Sequence, residues 1–132
     1  MLPIIPITTT DTLANFCKRQ KNAEFLTVDT EFMREKTYYP ILCLIQIGGP
    51  AEAAIIDPMA PNIDLEPLHD LMCDKSILKV FHAARQDMEI FYHEIKELPS
   101  PIFDTQLAAM VSGFGDQIGY EPLVAKITGV KM

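Results

Sequence analysis

Three strand-like segments follow one another between residues 25 and 58, and short connections separate them. Residues 25–32 read FLTVDTEF and alternate between two faces, residues 41–49 read ILCLIQIGG and are nearly all apolar, and residues 51–58 read AEAAIIDP. The glycine pair Gly48-Gly49 ends the second segment, and Asp57-Pro58 ends the third. The polar stretch MREKTYYP between the first two segments predicts a loop or hairpin. Because short connections favour antiparallel pairing, this part of the chain predicts an antiparallel sheet of three strands.

The pattern changes on either side of these strands. Helical spacing of apolar residues predicts helices in TTTDTLANFCKRQ, DLEPLHDLMCD, RQDMEIFYHEIK, FDTQLAAMVSG and GYEPLVAKITG, and ILKVFHAA predicts a buried strand. The inner stripe of the third helix is predicted as Met88, Phe91, Tyr92 and Ile95. A right-handed crossover would make the fourth strand parallel to a neighbour. The expected fold class is therefore α/β, with a mixed sheet of three antiparallel strands and a parallel strand, flanked by helices.

Composition narrows the class of protein. The 132 residues are 48% hydrophobic and 22% charged, with a net charge of −7, which fits one globular domain over residues 1–132. We expect no membrane partner, because no apolar stretch approaches the ~18 residues of a membrane span. The opening MLPIIPITTTD has no signal-peptide pattern, so the expected location is cytoplasmic. The acidic balance argues against general binding to polyanions, but it permits an enzyme that reaches phosphates through divalent cations.

Three cysteines stand far apart, at Cys17, Cys43 and Cys73. They form no C-x-x-C pair and no zinc-finger spacing. We expect free, mostly buried thiols.

Two carboxylates lie inside the first strand, at Asp29 and Glu31. The two-residue repeat of a strand puts both on one face, with their Cα atoms about 6.6 Å apart. At that separation two charges repel by about 2.5 kcal/mol at an effective dielectric of about 20. One interpretation is a solvated face or an edge strand guarded by charge. The other is a site for Mg²⁺ or Mn²⁺, which carboxylate oxygens bind.

A third carboxylate, Asp87, comes one helical turn after the end of the buried fourth strand, near His82. Strand ends of open α/β sheets are common ligand sites. Asp87 is also explained as an acid that stabilises the first turn of a helix, and His82 as a hydrogen-bonded residue at the edge of the core. Asp104 is better explained as a helix N-cap than as a ligand.

These segments resemble a known family of nucleases. The runs FLTVDTEFMREKTYYPILCLIQIG, IIDP, KVFHAARQDMEIF and IFDTQLAA occur in the order and spacing of ribonuclease D, a 3′-to-5′ exonuclease of the DEDD superfamily with a ribonuclease-H-like fold. The resemblance implies that Asp29 and Glu31 form the first exonuclease motif and Asp87 the second. It also implies a cofactor of two Mg²⁺ or Mn²⁺ ions and hydrolysis of RNA 3′ ends in tRNA or structured-RNA processing.

The resemblance further implies a role for each residue. Asp29 would bridge both ions, Glu31 would hold the ion that activates water, and Asp87 would act on the second ion, through water if need be. Phe32 and Met33 would touch the terminal nucleotide of a single-stranded RNA 3′ end, unless they only pack in the core. His82 is a further candidate for substrate contact. The nearest basic residues, Arg34, Lys36 and Arg85, could meet phosphates or simply face solvent.

One family motif has no counterpart here, since Val124 stands four residues after the last tyrosine, Tyr120. The family's third motif places an aspartate there, and ribonuclease D carries helical RNA-binding domains later still. We therefore expect an incomplete catalytic domain with impaired activity and with apolar surface that promotes self-association. A natural truncation, a proteolytic remnant, or a short protein that borrows the missing part from a partner would each explain the absent motif. A non-catalytic nuclease-fold module and a DNA exonuclease remain alternatives.

Overall fold

A six-stranded mixed sheet forms the centre of the computed structural model, which describes residues 2–33, 41–115 and 117–129. The strands are β1 (Ile4–Ile7), β2 (Phe25–Met33), β3 (Ile41–Gly48), β4 (Ala53–Ile56), β5 (Leu78–Phe81) and β6 (Ile102–Asp104). The helices are α1 (Thr10–Arg19), α2 (Glu66–Met72), α3 (Arg85–Ile95), α4 (Thr105–Val111) and α5 (Tyr120–Thr128). The predicted loop at 33–40 lies outside the described residues from position 34 onward, and so do Arg34 and Lys36.

The strand order is β1-β4-β3-β2-β5-β6. Strands β2, β3 and β4 pair antiparallel, whereas β1, β5 and β6 each pair parallel with a neighbour. The predicted antiparallel group and the parallel fourth strand, β5, are therefore confirmed, as is the α/β class. Strands β1 and β6 were not predicted, since each is an edge strand of three or four residues.

The hydrophobic core covers one face of the sheet. Leu26 and Val28 of β2 point into it, as the two-residue repeat predicts, while Asp29 on the same strand is exposed. Other strands and three helices add further large apolar groups; those from the helices are Leu13 and Phe16 from α1, Leu68, Leu71 and Met72 from α2, and Ile90 and Phe91 from α3. The opposite face of the sheet is left largely open, which is where the candidate site lies.

Two local predictions need correction. Tyr92 was predicted on the inner stripe of α3, but its side chain is 57% exposed, and Ile90 and Asp87 are buried instead. The stripe is rotated because α3 turns Asp87 towards β2. The cap-type residues around Thr10 and Asp11 predict the start of α1, but its N-cap is Thr9, whose hydroxyl accepts from the Thr12 N–H.

One charged side chain lies entirely inside the fold. Lys79 of β5 has no exposed surface, and its amine donates to the backbone carbonyls of Asp74 and Ser100. Burial lowers the pKa of this amine, although the nearby charge of Asp74 acts to raise it. Lys79 therefore joins the turn after α2 to the segment before β6.

Of the helices in the described part of the chain, none combines the length and apolar character needed to cross a membrane.

Candidate active site

Asp29 and Glu31 lie on the open face of β2. Both side chains are exposed, and Val28 and Thr30 on the opposite face are buried, so the predicted alternation is confirmed. The pairing of β2 with β3 shifts register immediately after Glu31, where Phe32 pairs with Leu42 rather than with Cys43. Such bulges bend a strand and redirect its side chains. The acidic pair therefore lies just before an irregular point in the sheet.

Asp87 reaches β2 from the first turn of α3. Helix α3 begins four residues after β5 ends, and β5 is the parallel neighbour of β2. The Thr30 hydroxyl donates to Asp87 Oδ1 across the buried side of the strand. The strand residue between Asp29 and Glu31 therefore holds the third predicted carboxylate in place.

The surroundings of Asp87 oppose its ionisation. Its side chain is 7% exposed, and burial raises the pKa of this carboxyl from 3.8 to about 6. The negative charges of Asp29 and Asp104 add to the rise, while the hydrogen bond from Thr30 acts against it. A buried carboxyl surrounded by like charges is an arrangement that a cation would relieve.

Asp104 fixes the turn from which α3 begins. Its Oδ1 accepts from the backbone N–H groups of Ala83, Gln106 and Leu107, and its Oδ2 accepts from that of Ala84. Burial acts to raise the pKa of this carboxyl, but these four donors outweigh burial and lower it. Ala83 adopts a left-handed conformation with φ of 57°, which costs about 1–2 kcal/mol for a residue other than glycine. The predicted N-cap of α4 is thus confirmed, and it also secures the turn between β5 and α3.

A cavity of about 470 Å³ lies beside Asp29 on the open face of the sheet. Its lining includes Thr27 and Asp29 from β2, Gln46 from β3, His82 after β5 and Tyr120 from α5. Most of the lining is apolar or uncharged, so Asp29 places a carboxylate at the wall of a space of nucleotide size.

Both ring nitrogens of His82 make internal hydrogen bonds. Nε2 lies 2.8 Å from the carbonyl oxygen of Ile118 and therefore donates to it, and Nδ1 lies 2.8 Å from Thr105 Oγ1. The ring also meets Tyr120 edge-on, with centroids 5.8 Å apart. His82 thus ties β5 to α4 and to the start of α5, while it lines the cavity.

The other predicted contact residues are divided between core and surface. Phe32 is partly buried and packs against the core, whereas Met33 is 48% exposed at the end of β2. Arg85 is exposed at the start of α3.

The donor atoms of the predicted site suit Mg²⁺ or Mn²⁺, because all are carboxylate oxygens. Their spacing is wider than direct shared ligation requires. Among the described residues, the group of ligand atoms that all lie within 4.8 Å of one another is a different one, His69, Cys73 and Glu97. The charge of Asp29 nevertheless acts on Asp87. The chemistry of these oxygens suits such ions, whereas Asp87 lies apart from Asp29 and Glu31, on the buried side of β2.

Some residues of the site were not found from the sequence. The sequence pattern did not connect Thr30 with Asp87, and it did not connect Tyr120 or Ile118 with His82. The alternation of β2 contained the signal for Thr30, since a polar residue at an inward position needs a partner.

Comparison with known proteins matches residues 4–132 to a family described as 3′-5′ exonuclease. The ribonuclease D of Nitrobacter hamburgensis is 55% identical over 123 residues, which cover 93% of this chain and 32% of that protein. The crystal structure of Escherichia coli RNase D, described as an exoribonuclease involved in structured RNA processing, superimposes with a TM-score of 0.93 at 38% identity. That match covers 99% of this chain and 35% of the E. coli chain.

A structure of Brucella melitensis NrnC with bound Mg²⁺ shares the fold, with a TM-score of 0.76 at 23% identity, over 99% of this chain and 62% of that one. The chain spans about a third of the length of its ribonuclease D relative. The resemblance to ribonuclease D seen in the sequence is confirmed. Because the family match extends over nearly all of the sequence, the chain belongs to the 3′-5′ exonuclease family.

Proposed function

We propose that this chain provides the first two carboxylate motifs of a 3′-5′ exoribonuclease of the ribonuclease D type. The substrate is a single-stranded RNA 3′ end, and the cofactor is Mg²⁺ or Mn²⁺. The observation that carries the proposal is the placement of Asp29 and Glu31 on the open face of β2, with Asp87 held behind them by Thr30. The similarity to an exoribonuclease of structured RNA processing favours RNA over DNA as the substrate.

Each residue has a distinct part in this proposal. Asp29 and Glu31 would hold the ions, and Asp87 would contribute to the same site. Bound divalent ions supply a water nucleophile and stabilise the leaving oxygen in phosphodiester hydrolysis. The terminal nucleotide enters the cavity beside Asp29, where His82 is the candidate to contact it. Met33, exposed at the end of β2, is a further candidate, and Phe32 supports the end of the strand.

The isolated chain is expected to bind these ions weakly and to hydrolyse RNA slowly or not at all. Three carboxylates are assigned in this chain, whereas the resemblance to ribonuclease D implies a site of four carboxylates and a tyrosine. Exposed apolar side chains on α4 and α5, including Leu107, Val111 and Ile127, further lead us to propose that the chain self-associates.

A Mn²⁺ titration by calorimetry tests the metal site without relying on activity. We expect Asp29→Asn to weaken Mn²⁺ binding at least tenfold, because it removes one of the two negative charges on the open face of β2 that would hold the ion. Asp11→Asn is the matched control, since Asp11 is an exposed acid in the first turn of α1. Equal Mn²⁺ affinity in the Asp29→Asn variant and the unmodified chain would contradict the site.

An assay with a 3′-labelled, single-stranded RNA tests the reaction. Rapid trimming that Asp29→Ala abolishes would show that three carboxylates suffice and would overturn the expected impairment. Loss of Mn²⁺ binding in Asp29→Asn, together with RNA binding and no trimming under any condition, would favour the non-catalytic module.

A further inference from the structure

A second group of metal-ligating side chains lies where the end of α2 meets the segment after α3. His69 and Cys73 are one helical turn apart, and Glu97 comes from the segment that follows α3. A ring nitrogen, the thiol sulfur and a carboxylate oxygen of these residues all lie within 4.8 Å of one another. Imidazole, thiolate and carboxylate together are a donor set that suits Zn²⁺.

Backbone hydrogen bonds hold the two contributing segments together. The Cys73 N–H donates to the His69 carbonyl at 3.0 Å, which fixes the spacing of these two ligands. The Ser100 N–H donates to the Met72 carbonyl at 3.1 Å and so joins the segment after α3 to the last turn of α2. The three side chains are thus brought together by folded backbone rather than by chance contact at a flexible surface.

The orientation of His69 is the second observation that points to a metal ion. Its Nε2 lies 3.6 Å from Glu97 Oε1, and its Nδ1 lies 3.7 Å from Glu66 Oε2. One ring nitrogen therefore faces the ligand group, and the other faces a separate carboxylate. A metal-bound histidine usually donates its remaining N–H to such a carboxylate, which orients the ring.

The local charge also favours a cation. Asp70 and Glu97 both place negative charge near the Cys73 sulfur, and Glu66 adds a third carboxylate beside His69. Lys79 acts in the opposite direction, but its amine donates to the carbonyls of Asp74 and Ser100.

We propose that His69 Nε2, Cys73 Sγ and one Glu97 carboxylate oxygen bind a single Zn²⁺ ion, with water in the fourth position. Zinc bonds of about 2.0–2.3 Å place tetrahedral donors roughly 3.3–3.8 Å apart, so small side-chain rotations close the site. Binding breaks the S–H bond of Cys73, forms an S–Zn bond and releases the proton to solvent, with no change of oxidation state. The ion ties the end of α2 to the segment between α3 and β6.

Titration of the reduced chain with Co²⁺ tests this site, because Co²⁺ replaces Zn²⁺ and absorbs visible light. We expect one equivalent to give tetrahedral bands and a near-ultraviolet thiolate-to-cobalt band, both lost when Zn²⁺ is added. Cys73→Ser should remove the thiolate band, and His69→Gln should weaken binding at least tenfold. Cys43→Ser is the matched control, because Cys43 is also a half-buried free cysteine but lies on β3.

The Asp29→Asn variant separates this site from the exonuclease carboxylates, and it should keep the cobalt spectrum unchanged. The absence of a thiolate band, its persistence in Cys73→Ser, or its loss in Asp29→Asn would overturn the proposal. The rate of cysteine alkylation in the unmodified chain gives a test that does not depend on whether the variants fold. Zn²⁺ should slow the reaction of Cys73 with iodoacetamide at least tenfold relative to Cys43, and equal rates with and without Zn²⁺ would also overturn it.

Discussion

Among single residues, Asp87 has the pKa shift with the largest consequence for stability. It is buried, it accepts from Thr30, and it lies within the influence of two other carboxylates. Burial, together with the two neighbouring charges, raises the pKa of this carboxyl in the folded state to about 6, from 3.8, although the hydrogen bond from Thr30 acts to lower it. The folded chain therefore binds a proton at Asp87 more tightly than the unfolded chain does, and the ionised form weakens folding.

This pKa shift makes the folded protein less stable as the pH rises. The contribution of Asp87 to stability is fully present below about pH 4 and is lost as the pH rises through about 6. A shift of about two units corresponds to at most about 3 kcal/mol. We expect Asp87→Asn, which keeps an acceptor for Thr30, to raise the free energy of unfolding at pH 7 and to flatten this dependence.

Urea denaturation between pH 4 and pH 7.5 measures the effect. The Asp11→Asn variant, which changes an exposed acid, should retain the slope of the unmodified chain. A slope in Asp87→Asn equal to that of the unmodified chain would show that the folded-state pKa of Asp87 is close to normal.

The positions of single residues were predictable where a local repeat determines them. The two-residue repeat of β2 correctly placed Asp29 and Glu31 on one face, because strand geometry fixes that face within a few residues. The contact between Thr30 and Asp87 spans 57 positions and depends on how α3 docks. Local pattern holds no information on such a contact, and the same reason explains why the partners of His82 were missed.

Among the secondary-structure elements, α4 has an N-cap side chain that accepts more hydrogen bonds than that of α1. Asp104 accepts from two N–H groups of α4 and two of the turn before α3, whereas Thr9 accepts from one N–H of α1. We expect Thr9→Ala to cost about 1 kcal/mol. Asp104→Ala should cost about 2–4 kcal/mol, because it leaves four donors without their acceptor, two of them in the turn before α3.

Chemical denaturation of the two variants under the same conditions gives both costs. Asp104→Asn should fall between them, since its amide oxygen still accepts but carries no charge. Equal costs for Asp104→Ala and Thr9→Ala would mean that Asp104 acts only as an ordinary cap.

The prediction of elements succeeded where the local pattern is clear. Helical spacing identified all five helices of the described part of the chain, alternation identified β2, and apolar runs identified β3 to β5. Strand β1 has four residues and contains Pro6, and β6 has three residues. Strands β4 and β5 are equally short, but each lies inside the sheet and within a longer apolar segment, whereas β1 and β6 are edge strands whose own sequences are weak predictors.

At the scale of the whole molecule, exposed apolar side chains set the expectation for assembly. Val111 is 84% exposed and Leu107, one turn earlier on α4, is 57% exposed. We expect sedimentation at increasing concentration to show a reversible dimer or larger species. The Leu107→Lys/Val111→Lys double variant should raise the dissociation constant of this association at least tenfold, because charged side chains resist burial at a contact.

Met59→Lys provides the comparison, since Met59 is 61% exposed but lies in the connection between β4 and α2. It should leave the association unchanged. A monomer at every concentration in the unmodified chain would contradict the prediction.

The order of strands in the sheet has a consequence for how the molecule folds. Strands β2, β3 and β4 are consecutive in the chain, so their pairing needs little loop closure. Strands β1 and β5 pair with partners that are distant in sequence, and such contacts form slowly. We therefore expect Asp29 and Glu31 to reach their final positions with the early meander, and Asp87 to join them only when the later crossover docks. Nascent or partly folded chains would thus carry the acidic pair without its third member.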